Sequence, residues 1–186
     1  AISLPNLPPR MEAELLRCRA LSQHFQGELQ AAEDDLQAAA LLAKTIDDPS
    51  VAAQVYLEQG RQHDASGAIE LAMAAFQSSL DAFHASEDPA GEGRAIAAMG
   101  NLAAKRGELP PAERLYMAAL AQHRRVGDPQ AEGAALSNLA VLTTIDGRPA
   151  EARELFRDAL AIHRAQGDRR GEAVVLGNLG DLYIQT

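Results

Sequence analysis

The stretch RVGDPQAEGAALSNLA, residues 125–140, is restated forty residues later as AQGDRRGEAVVLGNLG, residues 165–180. Forty residues earlier the chain reads ASEDPAGEGRAIAAMG, residues 85–100. A fixed interval of this length is the signature of a repeat architecture, in which one supersecondary unit recurs and its copies stack. Set in rows, the chain falls into residues 11–50, 51–90, 91–130 and 131–170, with a partial fifth row over 171–186.

Four columns of this layout have a physical reading. Asp48, Asp88, Asp128 and Asp168 close the rows, and three of them are followed by Pro49, Pro89 or Pro129. An aspartate before a proline is a helix start, since the carboxylate accepts from the first free N–H groups and proline's fixed φ suits the first helical position. Glu92, Glu132 and Glu172 then fall in the first turn, where the helix dipole favours negative charge. At mid-row, Gly27, Gly67, Gly107 and Gly147 supply residues able to take positive φ, which ends one helix and turns the chain into the next. Each row therefore predicts two helices joined by a tight turn.

The other two columns describe packing. Ala32, Ala72, Ala112 and Ala152 lie one turn before Leu36, Phe76, Tyr116 and Phe156, so a small and a large residue share one face of the second helix. The matching small position of the first helix is Gly60, Gly100, Ala140 and Gly180. Such pairs cannot bury their apolar faces alone and must stack. The predicted fold is all-α, a right-handed α-solenoid of antiparallel helix pairs, preceded by an extended lead over residues 1–10 that contains Pro5, Pro8 and Pro9.

Composition agrees. Apolar residues make up 47% but aromatics only 4%, with no Trp, which favours close-packed helices rich in small side chains. The net charge of −9 argues against a partner held through a phosphate backbone, so nucleic acid is not expected. No run approaches the roughly 18 apolar residues of a membrane span, and no signal peptide precedes the first row, so no membrane partner is expected. The single cysteine, Cys18, excludes an intrachain disulfide and fits a cytoplasmic location. With no recurring cationic partner, Cys18 reads as a small, unreactive side chain.

The pattern resembles the tetratricopeptide repeat, in which the first helix carries a large apolar residue, Leu-Gly and an aromatic, and the second carries Ala, an aromatic and Ala. Leu176, Leu179, Gly180 and Tyr183 are the best copy of the first helix; Ala152, Phe156 and Ala159, and equally Ala112, Tyr116 and Ala119, are the best of the second. The family's usual period is about 34 residues. The 40-residue spacing is similar to the variant found in kinesin light chains, spindle-orientation adaptors and many bacterial signalling and regulatory proteins.

The resemblance implies a scaffold that holds a protein or peptide partner in a concave groove lined by the first helices. The positions it picks out are Arg94, Asn101 and Lys105 in row three, Asn138 and Val141 in row four and Asn178 and Asp181 in row five. Ala97, Ser137, Thr144 and Val174 lie on the same surface, as do Arg17 and Arg61 in the first two rows. Side-chain amides beside Arg and Lys suit an extended peptide that is acidic or offers its C-terminus. Family members that clamp a C-terminal carboxylate carry lysine where Ala97 stands. A plainer reading has the asparagines brace neighbouring helices. The uncapped fifth row adds self-association as a second mode of contact.

No catalytic reading emerges: there is no glycine-rich phosphate loop, no nucleophile beside a base, and no carboxylate pair beyond capping and surface charge. His123 and His163 share a column, but it also holds Ala43 and Phe83 and no ligand set recurs with it; no metal or cofactor is expected, and the two read as solvent-facing or half-buried. The alternative function is a regulatory segment of a larger bacterial signalling ATPase or transcription regulator, with a small effector in the groove.

Overall fold

The computed structural model describes residues 7–185, and the side chains of residues 7–184. Among them nine helices follow one another: α1 Pro9–Gln26, α2 Leu29–Ile46, α3 Pro49–Ala65, α4 Ile69–Ala85, α5 Pro89–Lys105, α6 Leu109–Val126, α7 Pro129–Ile145, α8 Pro149–Gln166 and α9 Arg169–Gln185. The first helix of each pair starts at residue 9, 49, 89, 129 or 169, so the forty-residue period of the sequence is also the period of the backbone.

The start of α1 differs from the expected lead. Residues 1–6 lie outside the described residues, and helix begins at Pro9, inside the span read as extended. Pro9 occupies the first helical position, where the missing N–H would have no helical partner in any case.

Four aspartates cap first helices as expected. Asp48 accepts from the Ser50 and Val51 amides at 3.0 and 3.2 Å. Asp88, Asp128 and Asp168 each accept from the amide three residues on, Gly91, Ala131 and Gly171, at 2.9, 3.0 and 3.0 Å. The mid-row glycines all take positive φ, between 73° and 80°. Gly127 and Gly167 do the same at the turn between rows, where Asp47 and Glu87 adopt φ of 50° and 53° without the freedom of glycine. Seven turns close with the same bond, from the amide beyond the turn to a carbonyl five residues back. They are Glu28 to Gln23, Ala68 to His63, Asp88 to Phe83, Glu108 to Ala103, Asp128 to His123, Arg148 to Thr143 and Asp168 to His163, all at 2.8–3.0 Å. This bond satisfies a carbonyl that the helix end would leave open.

The chain divides into two compact units, residues 1–91 and 92–186. In the first, α1 packs on α2, α3 on α4, and α2 and α1 both meet α3. Its core joins Ala13, Leu16 and Ala20 of α1 to Ala32, Leu36, Ala39 and Ala43 of α2 and to Val51 and Val55 of α3. In the second, α7 packs against α6, α8 and α9. Tyr116, Leu136, Leu139, Phe156, Val175 and Leu182 belong to one continuous core there.

The small and large columns meet in rows two and three. A Cβ added to Gly60 would lie 2.4 Å from Phe76 Cδ1 and Cε1, and one on Gly100 would lie 2.8 Å from the corresponding atoms of Tyr116. Ala32, Ala72, Ala112 and Ala152 are all fully buried, as a seam between close helices requires.

Candidate functional site

In the second unit the residues of the expected groove fall on α5, α7 and α9. Arg94, Asn101 and Lys105 lie exposed along α5; Asn138 is half-buried and Val141 exposed on α7; Asn178 is half-buried and Asp181 exposed on α9. Two of these asparagines are joined. The Tyr116 hydroxyl donates to Asn101 Oδ1 at 2.8 Å, and Asn138 Nδ2 donates to the same oxygen at 3.2 Å. Asn101 thus links the second helix of its own row to the first helix of the next.

This network leaves a donor and an acceptor unspent. With its carbonyl oxygen taking both bonds, Asn101 keeps its amide hydrogens, and Asn138 keeps its Oδ1. Reversing both amides together would exchange the two roles and still leave one donor beside one acceptor. Burial pushes the Tyr116 hydroxyl up to about 12, so it stays protonated and able to donate across the physiological range. Asn101 and Asn138 therefore brace neighbouring helices.

Arg61 belongs to the first unit. Its Nη1 donates to Glu58 Oε1 at 2.8 Å, and Glu58 is itself buried. The two line a cleft of about 220 Å³ with Ala20, Leu21, His24 and Phe25 of α1, Leu36 of α2 and Gln62 of α3. Arg17, on α1, is closed onto Glu14 at 2.9 and 3.0 Å. The exposed Phe25 and its edge-on neighbour His24 have no counterpart in the recurring columns, which is why the repeat alignment passed over them.

The two histidines of one column are buried, His123 to 2% exposure and His163 to 4%, which corrects the expectation of solvent-facing or half-buried positions. Glycines make the room: a Cβ on Gly93 would lie 2.6 Å from the His123 ring, and one on Gly171 would lie 2.2 Å from His163 Nδ1. The two rings differ in partners. His163 Nδ1 lies 2.9 Å from Asp168 Oδ2, whereas His123 Nδ1 has no hydrogen-bond partner. Burial lowers the His123 pKa, Asp128 works against that shift, and Arg94 adds to it. Among the described residues no group of three His, Cys, Asp or Glu side chains could hold a metal, and no helix is long and apolar enough to cross a membrane. Cys18 is exposed on α1.

At the far end of the second unit, Leu179 and Leu182 of α9 are buried, while Leu176, Tyr183 and Ile184 are exposed. Gly180, in the same column as Gly60 and Gly100, has nothing within 4 Å of where its Cβ would stand.

Helical pairs with a recurring small–large seam and repeated Asp and Gly punctuation define a solenoid of the tetratricopeptide class. The tetratricopeptide repeat family model matches residues 93–165 and 132–186, together just over half of the chain, and the protein belongs to that family. No curated protein matches it in sequence.

Several solved structures share the fold. The STAND signal-transduction ATPase with a tetratricopeptide repeat sensor from Pyrococcus horikoshii superposes with a TM-score of 0.86 at 18% identity, over 98% of this chain and 28% of that one. Aspartyl phosphate phosphatase F of Bacillus subtilis gives 0.85 at 16% identity, over 95% and 45%. A Rap protein complexed with competence and sporulation factor gives 0.80 at 16%, over 97% and 50%. The chain thus spans half or less of the length of these three proteins.

Proposed function

We propose that the second unit holds an extended peptide segment of a protein partner along α5, α7 and α9, with the Asn101–Asn138 pair at its centre and no chemistry of its own. The observation that carries this reading is the donor left beside an acceptor at that pair, which is what one backbone amide of an extended ligand needs. Arg94 and Lys105 on α5 favour acidic residues or a C-terminus at that side; Asn178 and Asp181 on α9 receive the other end, and Val141 supplies apolar contact between. The chain works in the cytoplasm, in keeping with its single cysteine. The Rap protein similar in fold is complexed with competence and sporulation factor, which supports a ligand-holding role. The exposed face of α9 supports a further contact with a second copy.

A regulatory role within a longer protein is the second reading, favoured by the likeness to a part, 28% of the chain, of a signal-transduction ATPase that has a tetratricopeptide repeat sensor. The two are separated by a partner pull-down from the native cell followed by substitution. Changing Asn138 and Asn178 together to Ala should weaken a groove-bound peptide about ten-fold or more, roughly 1.4 kcal/mol per decade, with little change in melting temperature. Tyr116→Phe should weaken it less while keeping the buried ring. A lower melting temperature with unchanged affinity in the folded fraction would leave these residues as braces alone.

A further inference from the structure

In the second unit, α7, the end of α8 and the start of α9 line an open cleft of about 310 Å³. It is lined by Gln130, Ala134, Ser137 and Asn138 of α7, His163 of α8, Asp168 of the turn, and Arg170, Gly171 and Val174 of α9. Its size is at the lower end of small-ligand sites, and it combines an apolar floor with a few convergent polar groups, as such sites do.

The free valences of these groups define what fits. Asp168 is spent: Oδ1 accepts from the Gly171 amide at 3.0 Å, and Oδ2 faces His163 Nδ1 at 2.9 Å. An ionised carboxylate only accepts, so Nδ1 carries the proton and Nε2 is the ring nitrogen left for a ligand. The Ser137 hydroxyl donates to Gly133 O at 2.8 Å, and the Asn138 amide is engaged by Asn101. Arg170 is exposed and brings a planar cation suited to carboxylate. The adjoining charges cancel in place, since Arg164 holds Glu172 at 2.7 Å, and α7 contributes no acid to the lining. Row three has the same histidine and aspartate, but His123 Nδ1 has no hydrogen-bond partner, so the oriented imidazole belongs to this cleft alone among the two.

We infer that this cleft binds a carboxylate carried by a small N-acylated group, the anion received by Arg170, the N–H by the His163 Nε2 lone pair, and the stem by Ala134 and Val174. An acidic residue of a peptide and a free acylated amino acid share this chemistry. The inference shares Ser137, Asn138 and Val174 with the surface of the proposed peptide site but rests on Arg170 and His163, which that site does not use.

The test is a titration of the isotope-labelled chain with N-acetyl-L-glutamate, followed by amide and Arg side-chain resonances. Saturable shifts at Arg170, Gly171 and Val174 are expected in the millimolar range, about ten-fold weaker in Arg170→Ala, which removes an exposed side chain and leaves the fold intact. The neutral N-acetyl-L-glutamine amide should not compete. Equal binding of the neutral probe, or unchanged affinity in Arg170→Ala, would overturn the assignment, as would an absence of shifts. A capped pentapeptide with one central glutamate separates the sources. If it binds more tightly than the free probe and its shifts extend to Asn101 and Val141, the carboxylate is read within a peptide; if it binds no more tightly and its shifts stay in the cleft, a small ligand is the occupant. Asn101→Ala tells this site from the peptide site, because it should weaken groove binding and spare the free probe.

Discussion

Replacing Gly60 with alanine sets two well-characterised effects against each other. In the interior of an exposed helix the change stabilises by about 1 kcal/mol, because alanine has less backbone freedom to lose. In α3 the new Cβ would stand 2.4 Å from two carbons of Phe76, more than 1 Å inside the separation of about 3.5–4.0 Å at which carbon atoms rest. Phe76 is 2% exposed and has no open side to move toward. Overpacking of this kind costs about 1–3 kcal/mol, and the overlap here argues for the upper half of that range, which leaves a net loss of about 1–2 kcal/mol.

The sequence contains its own remedy. Row one pairs Ala20 with Leu36, so Phe76→Leu in the Gly60→Ala background should restore part of the loss and give a favourable coupling in a double-mutant cycle. Gly180→Ala, at a position with nothing within 4 Å, should stabilise by about 0.5–1 kcal/mol. Urea midpoints followed by far-UV circular dichroism report all four variants. Row four accommodates Ala140 with Phe156. If Gly60→Ala proves as stabilising as Gly180→Ala, row two can adopt that arrangement freely, and the packing argument for this column is wrong.

Other expectations follow from the turns and the buried rings. Glu87→Gly relieves a left-handed residue without a side-chain benefit and should raise stability by about 0.5–1 kcal/mol, with Asp47→Gly gaining less because aspartate tolerates that region better; thermal melts measure both. His123 has a folded pKa below its unfolded value, so its contribution is complete above the unfolded pKa of about 6.5 and is lost as pH falls below it; urea midpoints at pH 7.5 and 5.5 should diverge less in His123→Phe than in the parent. Asp128→Ala removes the cap on α7 and should cost about 0.5–2 kcal/mol at neutral pH by chemical denaturation.

The repeat was legible because each of its columns does a local job. Asp128 caps the helix that begins one residue later, and Gly107 turns the chain within two residues, so neither depends on distant contacts. Burial of His123 and His163 was not legible in the same way, since a polar ring in a column with Ala43 and Phe83 can face either side until Gly93 of α5 and Gly171 of α9 are placed against the rings. The Asn101–Asn138 bond joins residues 37 apart, and only the stacking of α5 and α7 reveals that they share an oxygen with Tyr116. Gln130, His163 and Arg170 occupy helix starts and ends outside the groove columns, so their convergence came from the fold alone.

The seven six-residue turn closures carry an evolutionary consequence. At seven of the eight turns among the described residues the helix end finds a backbone partner within its own turn, so the main chain is closed there without help from a neighbouring row. A duplication or loss of forty residues therefore cuts and rejoins the chain without orphaning a carbonyl, whereas an insertion of arbitrary length breaks the register of caps and seams. Lineages of this protein should differ in whole rows, and recombination points should cluster at the Asp-Pro junctions.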